Sequence, residues 1–353
     1  MAGEGSEIIR KISRYGFIVI VLCFCCLING CGEQTNPKLS DKKLRIGLMI
    51  TPRGLNDQGF NDLAFSGIQS AERKYGIESV LIEPATMADP EASLRFFAAQ
   101  KFDAIIAVGV AFLNDIRTIA KEHPDLNFFV IDASIDEGNI KGITFREDEG
   151  SFLCGYLGAK MSRTGKIGFV GGLKIEVIMR FLNGFKQGAL FAASGSEVIE
   201  KFIADDFSGF NKPDLANTIA TELYKDGCDV IYHAAGASGL GVIAAALKAK
   251  KFVIGVDMNQ DSMAPGLVLT SMLKRVDFVV EDIVKTISEN KNYQSVQRSY
   301  GISDGAINIT DFQFTAQLIG DELIGKLNNL KKDIVSGKLH TSFPASSSSY
   351  PGN

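Results

Sequence analysis

Short apolar runs of β type alternate with helical patterns from residue 44 to about residue 336, and this alternation restricts the fold more than any other feature. It indicates parallel sheets with helices on both faces, and continuously apolar strands fit sheets that are covered on both sides. The predicted strands are 44–50, 79–84, 103–109, 127–132, 142–145, 166–172, 198–203, 229–235, 252–257 and 267–272. The predicted helices are 62–75, 90–100, 112–122, 148–161, 177–193, 213–226, 240–250, 274–290 and 315–336.

The strands form two series, of which the second begins with "KIGFVGG", and two series predict two similar α/β lobes. The N-terminal lobe is predicted to span 44–146 and to be completed by about 273–300 and part of the C-terminal segment. The C-terminal lobe is predicted to span 147–272 and to be completed by part of 301–340. Helix 148–161 would make the first crossing between them. In such sheets ligands bind beyond the carboxyl ends of the strands, so the loops there are the places to look.

The first thirty residues differ from the rest of the chain and predict a lipoprotein signal peptide. Three basic residues precede "YGFIVIVLCFCCLI", an apolar run shorter than the roughly 20 residues of a membrane-spanning helix. The following "INGC" resembles a relaxed lipobox, which predicts cleavage before Cys31 and a lipid such as palmitate on that residue. An uncleaved membrane anchor is the alternative. Residues 31–43 would then be a polar tether, and the Ser-rich residues 341–353 a disordered tail.

Composition excludes several classes of function. The 353 residues, 46% of them hydrophobic, are enough to fill two cores. A formal net charge of −4 predicts no general attraction to nucleic acid. Three histidines and no tryptophan leave little material for metal ligation or triad chemistry, and Cys154, Cys228 and His233 stand in apolar patterns typical of a core. We therefore expect no enzymatic activity, no metal and no cofactor.

The stretch "RGLNDQGFNDLAFSGIQSAERKYG" at 53–76 places polar side chains around an aromatic residue directly after the first strand. The N-cap of the following helix explains one of them, for which Asn61 or Asp62 is suitable. Asp57 and Asn61 offer an acceptor and an amide that match the edge of a purine or pyrimidine. Phe60 offers a flat face for stacking on a base, with a position in the core as the alternative.

A glycine-rich turn after a later strand is the second candidate. Gly239, Gly241 and Ala244 open a helix, and Asp257 ends the next strand, which fits the dinucleotide fingerprint. That fingerprint belongs in the first βα unit of a nucleotide domain, whereas here it stands in a later unit. Recognition of a ribose by the carboxylate is therefore favoured over binding of NAD. Lys274 also follows a strand and could hold a ribose oxygen or pair with Asp257; a solvated lysine is the alternative.

Aromatic and acidic residues in other loops are weaker candidates. Phe207 and Phe210 stand in the polar loop "ADDFSGFNKPD" and could close a sandwich on a base that Phe60 also contacts. Asp132 ends a strand and is equally suitable as a turn residue. Glu147 equally belongs to the first turn of its helix.

Five ordered stretches resemble the basic membrane protein (Bmp) family, which comprises PnrA-like purine nucleoside receptors. They are "LNDQGFNDLAFSGI", "FREDEGSFLCGYLGA", "DGCDVIYHAAGASGLGVIAAA", "VIGVDMNQ" and "LTSMLKRVD". The resemblance covers about residues 44–340. It implies an α/β chain of the type I periplasmic-binding-protein fold, with two Rossmann-like lobes, a hinge and an interlobe cleft.

The resemblance also implies two groups of ligand contacts. The base would be held by Asp57, Phe60, Asn61, Asp132 and Phe210. The ribose would be held by Gly236, Asp257 and Lys274. The family commonly has an acid where this chain has Lys212, so Phe207 stays a substitute for the second stacking residue.

A lipid-anchored substrate-binding protein is the function that the resemblance implies. It would capture adenosine, guanosine or inosine and pass the nucleoside to an ABC-transporter permease. We expect a monomer in the cell envelope, anchored to the inner or outer membrane and facing the periplasm or the cell surface. Two alternatives stay open: a surface adhesin for a host matrix protein, and a receptor for sugars or other small polar ligands.

Overall fold

The chain forms two mainly parallel sheets that are covered by helices. The computed structural model describes residues 43–83, 89–290 and 293–341. The predicted signal peptide, Cys31, nearly all of the tether and the tail beyond residue 341 lie outside the described residues. Thr341, the first residue of the predicted tail, is buried and donates a hydrogen bond to Asp148.

In the N-terminal sheet, the strand order reverses direction at the first strand, β1. Its strand order is β12-β6-β4-β3-β1-β2, with β5 antiparallel to β6. Because β1 lies between β2 and β3, the chain winds first to one side of β1 and then to the other, which opens a crevice at the carboxyl ends. The strands are β1 Arg45–Met49, β2 Glu78–Ile82, β3 Ala104–Val108, β4 Asn127–Ile131, β5 Asp136–Glu137, β6 Ile140–Phe145 and β12 Ser299–Tyr300.

The C-terminal sheet repeats this arrangement. Its order is β13-β11-β10-β9-β7-β8, so β7 occupies the position that β1 has in the other sheet. Strands β7 to β11 are parallel, and β13 is antiparallel to β11. The strands are β7 Lys166–Gly171, β8 Glu197–Phe202, β9 Val230–Ala234, β10 Phe252–Asp257, β11 Val268–Lys274 and β13 Ile307–Ile309. These sheets are those of the predicted two-lobed α/β fold.

Helices occupy all nine predicted segments, but the last segment is interrupted. Gly320, with a φ of 80°, separates α9 from α10, because this backbone conformation ends one helix and begins the next. The helices are α1 Phe60–Tyr75, α2 Pro90–Ala99, α3 Leu113–Glu122, α4 Glu147–Met161, α5 Glu176–Ala192, α6 Pro213–Lys225, α7 Gly239–Ala249, α8 Val276–Asn290, α9 Ala316–Ile319 and α10 Asp321–Val335.

The chain passes between the two lobes at three places. Strand β6 of the N-terminal sheet leads into α4, which packs on α5 of the C-terminal lobe. Strand β11 leads into α8, which returns to the N-terminal lobe, where a Cβ built on Gly67 of α1 would lie 2.4 Å from the carbonyl oxygen of Asp277. The third passage joins β12 to β13. In the part of the chain that the structure describes, no helix is both long and apolar enough to cross a membrane.

Candidate functional site

A cavity of about 440 Å³ lies at the carboxyl ends of both sheets. Its walls come from the loops after β1, β3 and β4 of one lobe and after β7 to β11 of the other. This volume is within the roughly 300–1,000 Å³ of small-molecule pockets. Seven of the eight residues predicted to contact a ligand line it: Asp57, Phe60, Asp132, Phe210, Gly236, Asp257 and Lys274.

Asp57 organises the loop between β1 and α1. Its carboxylate accepts hydrogen bonds from the backbone N–H groups of Gly59, Asn61 and Asp62, at 3.0, 2.8 and 3.2 Å. The prediction that Asn61 or Asp62 is the N-cap is wrong: the N-cap is Gly59, α1 begins at Phe60, and Asp57 accepts the N–H groups of Asn61 and Asp62 in the first turn. Burial raises the pKa of the Asp57 carboxyl, and the three N–H donors oppose that effect.

Asn61 has a different place from the predicted one. It is buried and is not among the residues that line the cavity. Its Nδ2 donates to Thr51 Oγ1 at 2.8 Å and to the carbonyl oxygen of Gly54 at 2.9 Å, while its Oδ1 accepts from the Thr51 N–H at 3.3 Å. Both amide hydrogens are thus used within the protein, and the side chain fixes the loop that carries Asp57.

Aromatic rings from both lobes line the cavity. Phe60 is the first residue of α1, and Phe207 and Phe210 stand in the 3-10 turn after β8. The rings of Phe207 and Phe210 lie 6.5 Å apart at 29°. A Cβ built on Gly172 would lie 2.5 Å from the Phe210 ring, so only glycine lets that ring take its place.

The same strained backbone conformation occurs at two strand ends. Asp132 follows β4 and Asp257 ends β10, with φ values of 69° and 67°. Such left-handed conformations are uncommon outside glycine and cluster at functional sites. They place one carboxylate from each lobe at the cavity floor, both largely buried.

Lys274 lies at the centre of a buried charge cluster at the cavity floor. Its Nζ donates to both oxygens of Asp132, at 2.7 and 2.8 Å, and lies 3.0 Å from Glu147 Oε1. Arg180 donates to the other oxygen of Glu147 at 2.6 Å, and it also pairs with Glu176. The sequence suggested that Lys274 could pair with Asp257. The ion pair is instead with Asp132 of the other lobe.

The pKa values at the floor follow from burial and from this pairing. Burial opposes the charged form of Lys274, but Asp132 and Glu147 hold its pKa above the ordinary value. Burial would raise the pKa of Glu147, but Arg180 and Lys274 hold it below the ordinary value. Among the described residues no cation pairs directly with Asp257, so burial raises its pKa to about 7, against the attraction of Lys274.

The glycines of the dinucleotide fingerprint serve helix packing. A Cβ built on Gly241 would lie 1.9 Å from the carbonyl oxygen of Pro213, and one built on Gly239 would lie 2.2 Å from the ring of His233. Neither glycine is among the cavity-lining residues. They let α7 approach α6 and β9 closely. Gly236, which lies just before α7 with a φ of 54°, does line the cavity.

Sequence reasoning missed several residues of the site. Glu147 was noted only as a first-turn acid, although it is fully buried beside Lys274. Arg180 could have been recognised from the sequence, because it is the lone cation in the apolar stretch "EVIMRFLNGF" of α5. Arg53 and Phe181 also line the cavity, and neither has a pattern that distinguishes it from a surface or core residue.

The arrangement is suited to binding. Aromatic faces line the walls, and paired and unpaired charged groups line the floor. Among residues 43–83, 89–290 and 293–341, no group of His, Cys, Asp and Glu is placed to hold a metal ion. Cys154 and Cys228 are free and buried, and burial raises the pKa of both thiols.

Comparison with protein families identifies the chain's relatives. The family described as "Bmp: ABC transporter substrate-binding protein PnrA-like" matches residues 44–341. The chain belongs to this family. Its members are substrate-binding proteins, and a solute-binding role therefore follows for this Bmp family member. Unlike what the name "basic membrane protein" suggests, its net charge is −4.

Individual Bmp relatives are similar over most of their length. A CD4+ T-cell-stimulating antigen of Listeria monocytogenes is 30% identical over 340 residues, which cover 89% of this chain and 93% of that protein. Basic membrane protein A of Borreliella burgdorferi is 30% identical over 298 residues, which cover 82% and 86%.

Solved structures show the same fold as this Bmp chain. An ABC-transporter solute-binding protein from Aeropyrum pernix aligns with a TM-score of 0.73 at 23% identity, covering 84% of this chain and 92% of that one. A solute-binding protein from Conexibacter woesei aligns with a TM-score of 0.64 at 19% identity, covering 84% and 98%. The chain has the type I periplasmic-binding-protein fold.

Proposed function

We propose that this protein captures purine nucleosides in the interlobe cavity and delivers them to an ABC-transporter permease without chemically changing them. One observation carries the proposal. Phe60 and Phe210 come from different lobes and line the same cavity, whose floor holds Asp257 and Lys274. Two aromatic faces suit a flat heterocycle, and stacking on one base is worth about 1–3 kcal/mol. The Asp257 carboxylate, which pairs with no cation in the described part of the chain, suits the hydroxyl donors of a ribose.

We assign Asp57 to the edge of the base, and Asp132 to positioning Lys274. Gly236, Asp257 and Lys274 would contact the ribose. Asn61, whose amide is used within the loop, is assigned a supporting role through Thr51 and Gly54.

A thermal shift experiment tests the proposed ligand class. Millimolar adenosine, guanosine or inosine should raise the melting temperature of the full-length protein in detergent by a few degrees, because a ligand that binds only the folded state stabilises it. Free ribose and glucose serve as controls and should leave the melting temperature unchanged. A shift with a free sugar and none with any nucleoside would favour the sugar-receptor alternative and refute the proposal.

We also propose that a lipid on Cys31 anchors the protein in the bacterial cell envelope. Cells that express the protein with labelled palmitate should yield a labelled band. Cys31→Ser should lose the label, whereas Cys26→Ser, which changes a residue of the signal peptide, should keep it. Retention of the label by Cys31→Ser would refute this assignment.

A further inference from the structure

Arg53 is a cation that lines the cavity. It lies between β1 and α1, on the loop that also carries Asp57 and Phe60. In the described part of the chain, no carboxylate forms an ion pair with it. Its Nη2 makes one long hydrogen bond, of 3.5 Å, to the carbonyl oxygen of Asn56. Its Nε is buried and has no hydrogen-bond partner.

A guanidinium that lines a binding cavity without a carboxylate partner can bind an acceptor on a ligand. Arg53 lines the cavity, and because its Nε has no accessible surface, its two Nη groups are the donors left for a ligand. The two Nη groups form a pair of donors that matches two acceptors side by side.

Asp57 supplies the complementary group on the same loop. Its Oδ1 already accepts two backbone N–H bonds, from Gly59 and Asp62, whereas Oδ2 accepts one, from Asn61. An ionised carboxylate has about four lone-pair sites, so Oδ2 can accept one more hydrogen. The loop therefore contributes a donor pair and an acceptor to the lining of the same cavity.

Purines with a carbonyl at C6 fit this pattern better than adenine does. Their O6 and N7 form an adjacent acceptor pair, which is the pair that arginine reads on guanine in DNA. Their N1 carries a hydrogen that a carboxylate can accept. Adenine has an amino group in place of O6 and a bare acceptor at N1, so it would direct a donor at Arg53 and a lone pair at Asp57.

The second unpaired cation on the cavity wall favours the same ligands. Lys212 is exposed and comes from the opposite lobe, and it has no ion-pair partner among the described residues. At the sugar end of the proposed ligand, Lys274 and Arg180 are already paired with Asp132, Glu147 and Glu176. Arg53 and Lys212, near the base, favour an oxygen-rich base edge.

We propose that Arg53, with Asp57, makes this protein selective for 6-oxopurine nucleosides, inosine and guanosine, over adenosine. This inference rests on the proposed function and names the subset of purine nucleosides that the cavity would take.

Isothermal titration of the full-length protein in detergent tests the inference. We expect inosine to bind at least about tenfold more tightly than adenosine, which corresponds to about 1.4 kcal/mol. Purine riboside, which has hydrogen at C6, should also bind more weakly than inosine. This comparison uses the unchanged protein, so it does not depend on the folding of a variant.

Variants then assign the selectivity to Arg53. Arg53→Gln should reduce the ratio of inosine to adenosine affinity to within about threefold, since the paired donors are lost. Arg163→Gln, which changes an exposed arginine outside the cavity, should keep the wild-type ratio. Asp257→Asn at the sugar end should weaken both nucleosides and leave the ratio unchanged.

The outcomes separate the two proposals. Equal affinities for inosine and adenosine, or a ratio that Arg53→Gln does not change, would overturn the selectivity and leave nucleoside binding intact. A protein that binds none of the nucleosides would overturn the proposed function and the selectivity with it.

Discussion

Burial raises the pKa of the Asp257 carboxyl to about 7, and the attraction of Lys274 only partly opposes this effect. In the unfolded chain the carboxyl titrates near its ordinary value of 3.8. Between these two values the folded protein therefore binds a proton that the unfolded chain releases. Asp257 consequently makes the folded state less stable as the pH rises from about 4 to about 7.

Asp257→Asn should therefore stabilise the ligand-free protein more at pH 8 than at pH 5, and least at pH 4. The stabilisation at pH 8 should not exceed about 4 kcal/mol, since one pKa unit corresponds to about 1.36 kcal/mol. Urea unfolding of both proteins at these pH values measures it. The same variant should lose affinity for ribonucleosides, because an amide cannot replace a carboxylate that accepts two hydroxyl hydrogens. An identical difference in unfolding free energy at pH 5 and pH 8 would contradict this account.

Of the charged side chains that the structure describes, Lys274 is the one whose replacement should destabilise the protein most. Lys274→Met leaves the carboxylates of Asp132 and Glu147 buried beside one another with too few cations, and loss of one partner of a buried pair costs about 3–5 kcal/mol. Lys74→Met removes the exposed pair with Glu281 and should cost less than about 1 kcal/mol. Urea unfolding at pH 7 compares the two variants. Similar losses would show that the buried cluster is not what stabilises the floor.

At the scale of elements, α4 and α5 pack backbone to backbone because glycines face each other across the contact. A Cβ built on Gly155 of α4 would lie 1.9 Å from the carbonyl oxygen of Phe185, and one on Gly188 of α5 would lie 1.9 Å from that of Phe152. The close contact aligns Glu147, the first residue of α4, with Arg180 of α5. Helix packing thus positions the charge cluster.

Two glycines of the same helix provide a matched test of this packing. Gly155→Ala should destabilise the protein by about 1–3 kcal/mol or more, because neither backbone can move away without a shift of the helices. Gly158→Ala meets only ordinary contacts, at 3.6 Å and beyond, and should stabilise α4 by up to about 1 kcal/mol. Chemical unfolding gives both values. Stabilisation by both substitutions would mean that the helices can separate at little cost.

At the scale of the whole molecule, the two lobes meet at the cavity through polar contacts. Gln260 Nε2 of the C-terminal lobe donates to the carbonyl oxygen of Gln58 at 3.2 Å. A Cβ built on Gly59 would lie 3.3 Å from Asp257 Oδ2, so the two lobes approach closely there. The carboxyls of Asp57 and Asp257 repel each other, and this repulsion is one reason for the raised pKa of Asp257. This repulsion opposes the approach of the lobes at that point, whereas the Gln260 hydrogen bond and the ion pair of Lys274 with Asp132 favour it.

We expect the lobes to close when a nucleoside binds, with 44–146 and 147–272 moving about the three interlobe passages. A ligand shifts this equilibrium by its difference in affinity for the closed and open forms. Small-angle X-ray scattering of the full-length protein in detergent should show a smaller radius of gyration for the protein with inosine. Phe210→Ala, which removes one stacking face, should show no such decrease at the same concentration. Identical scattering curves for the wild type with and without inosine would exclude closure.

The sequence by itself determined the strands, helices and two-lobed fold, because these depend on the local periodicity of apolar residues and on short turn signals. All ten predicted strands are present, each within about two residues of its predicted ends. The strands β5, β12 and β13 were missed because two or three residues are too few to show a period. The prediction placed Asp257 at a strand end and Phe60 after the loop that follows a strand, and both line the cavity at the carboxyl ends of the strands.

Only the tertiary structure decided which of these side chains contact each other and which form their hydrogen bonds inside the protein instead of with a ligand. Asn61 looked like a ligand contact, but Thr51 and Gly54 take up its amide. Lys274 pairs with Asp132 across 142 residues of sequence, and Glu147 joins them from the start of α4. Hydrogen bonds and ion pairs are short-range, so they depend on how the two lobes pack, which no local pattern records.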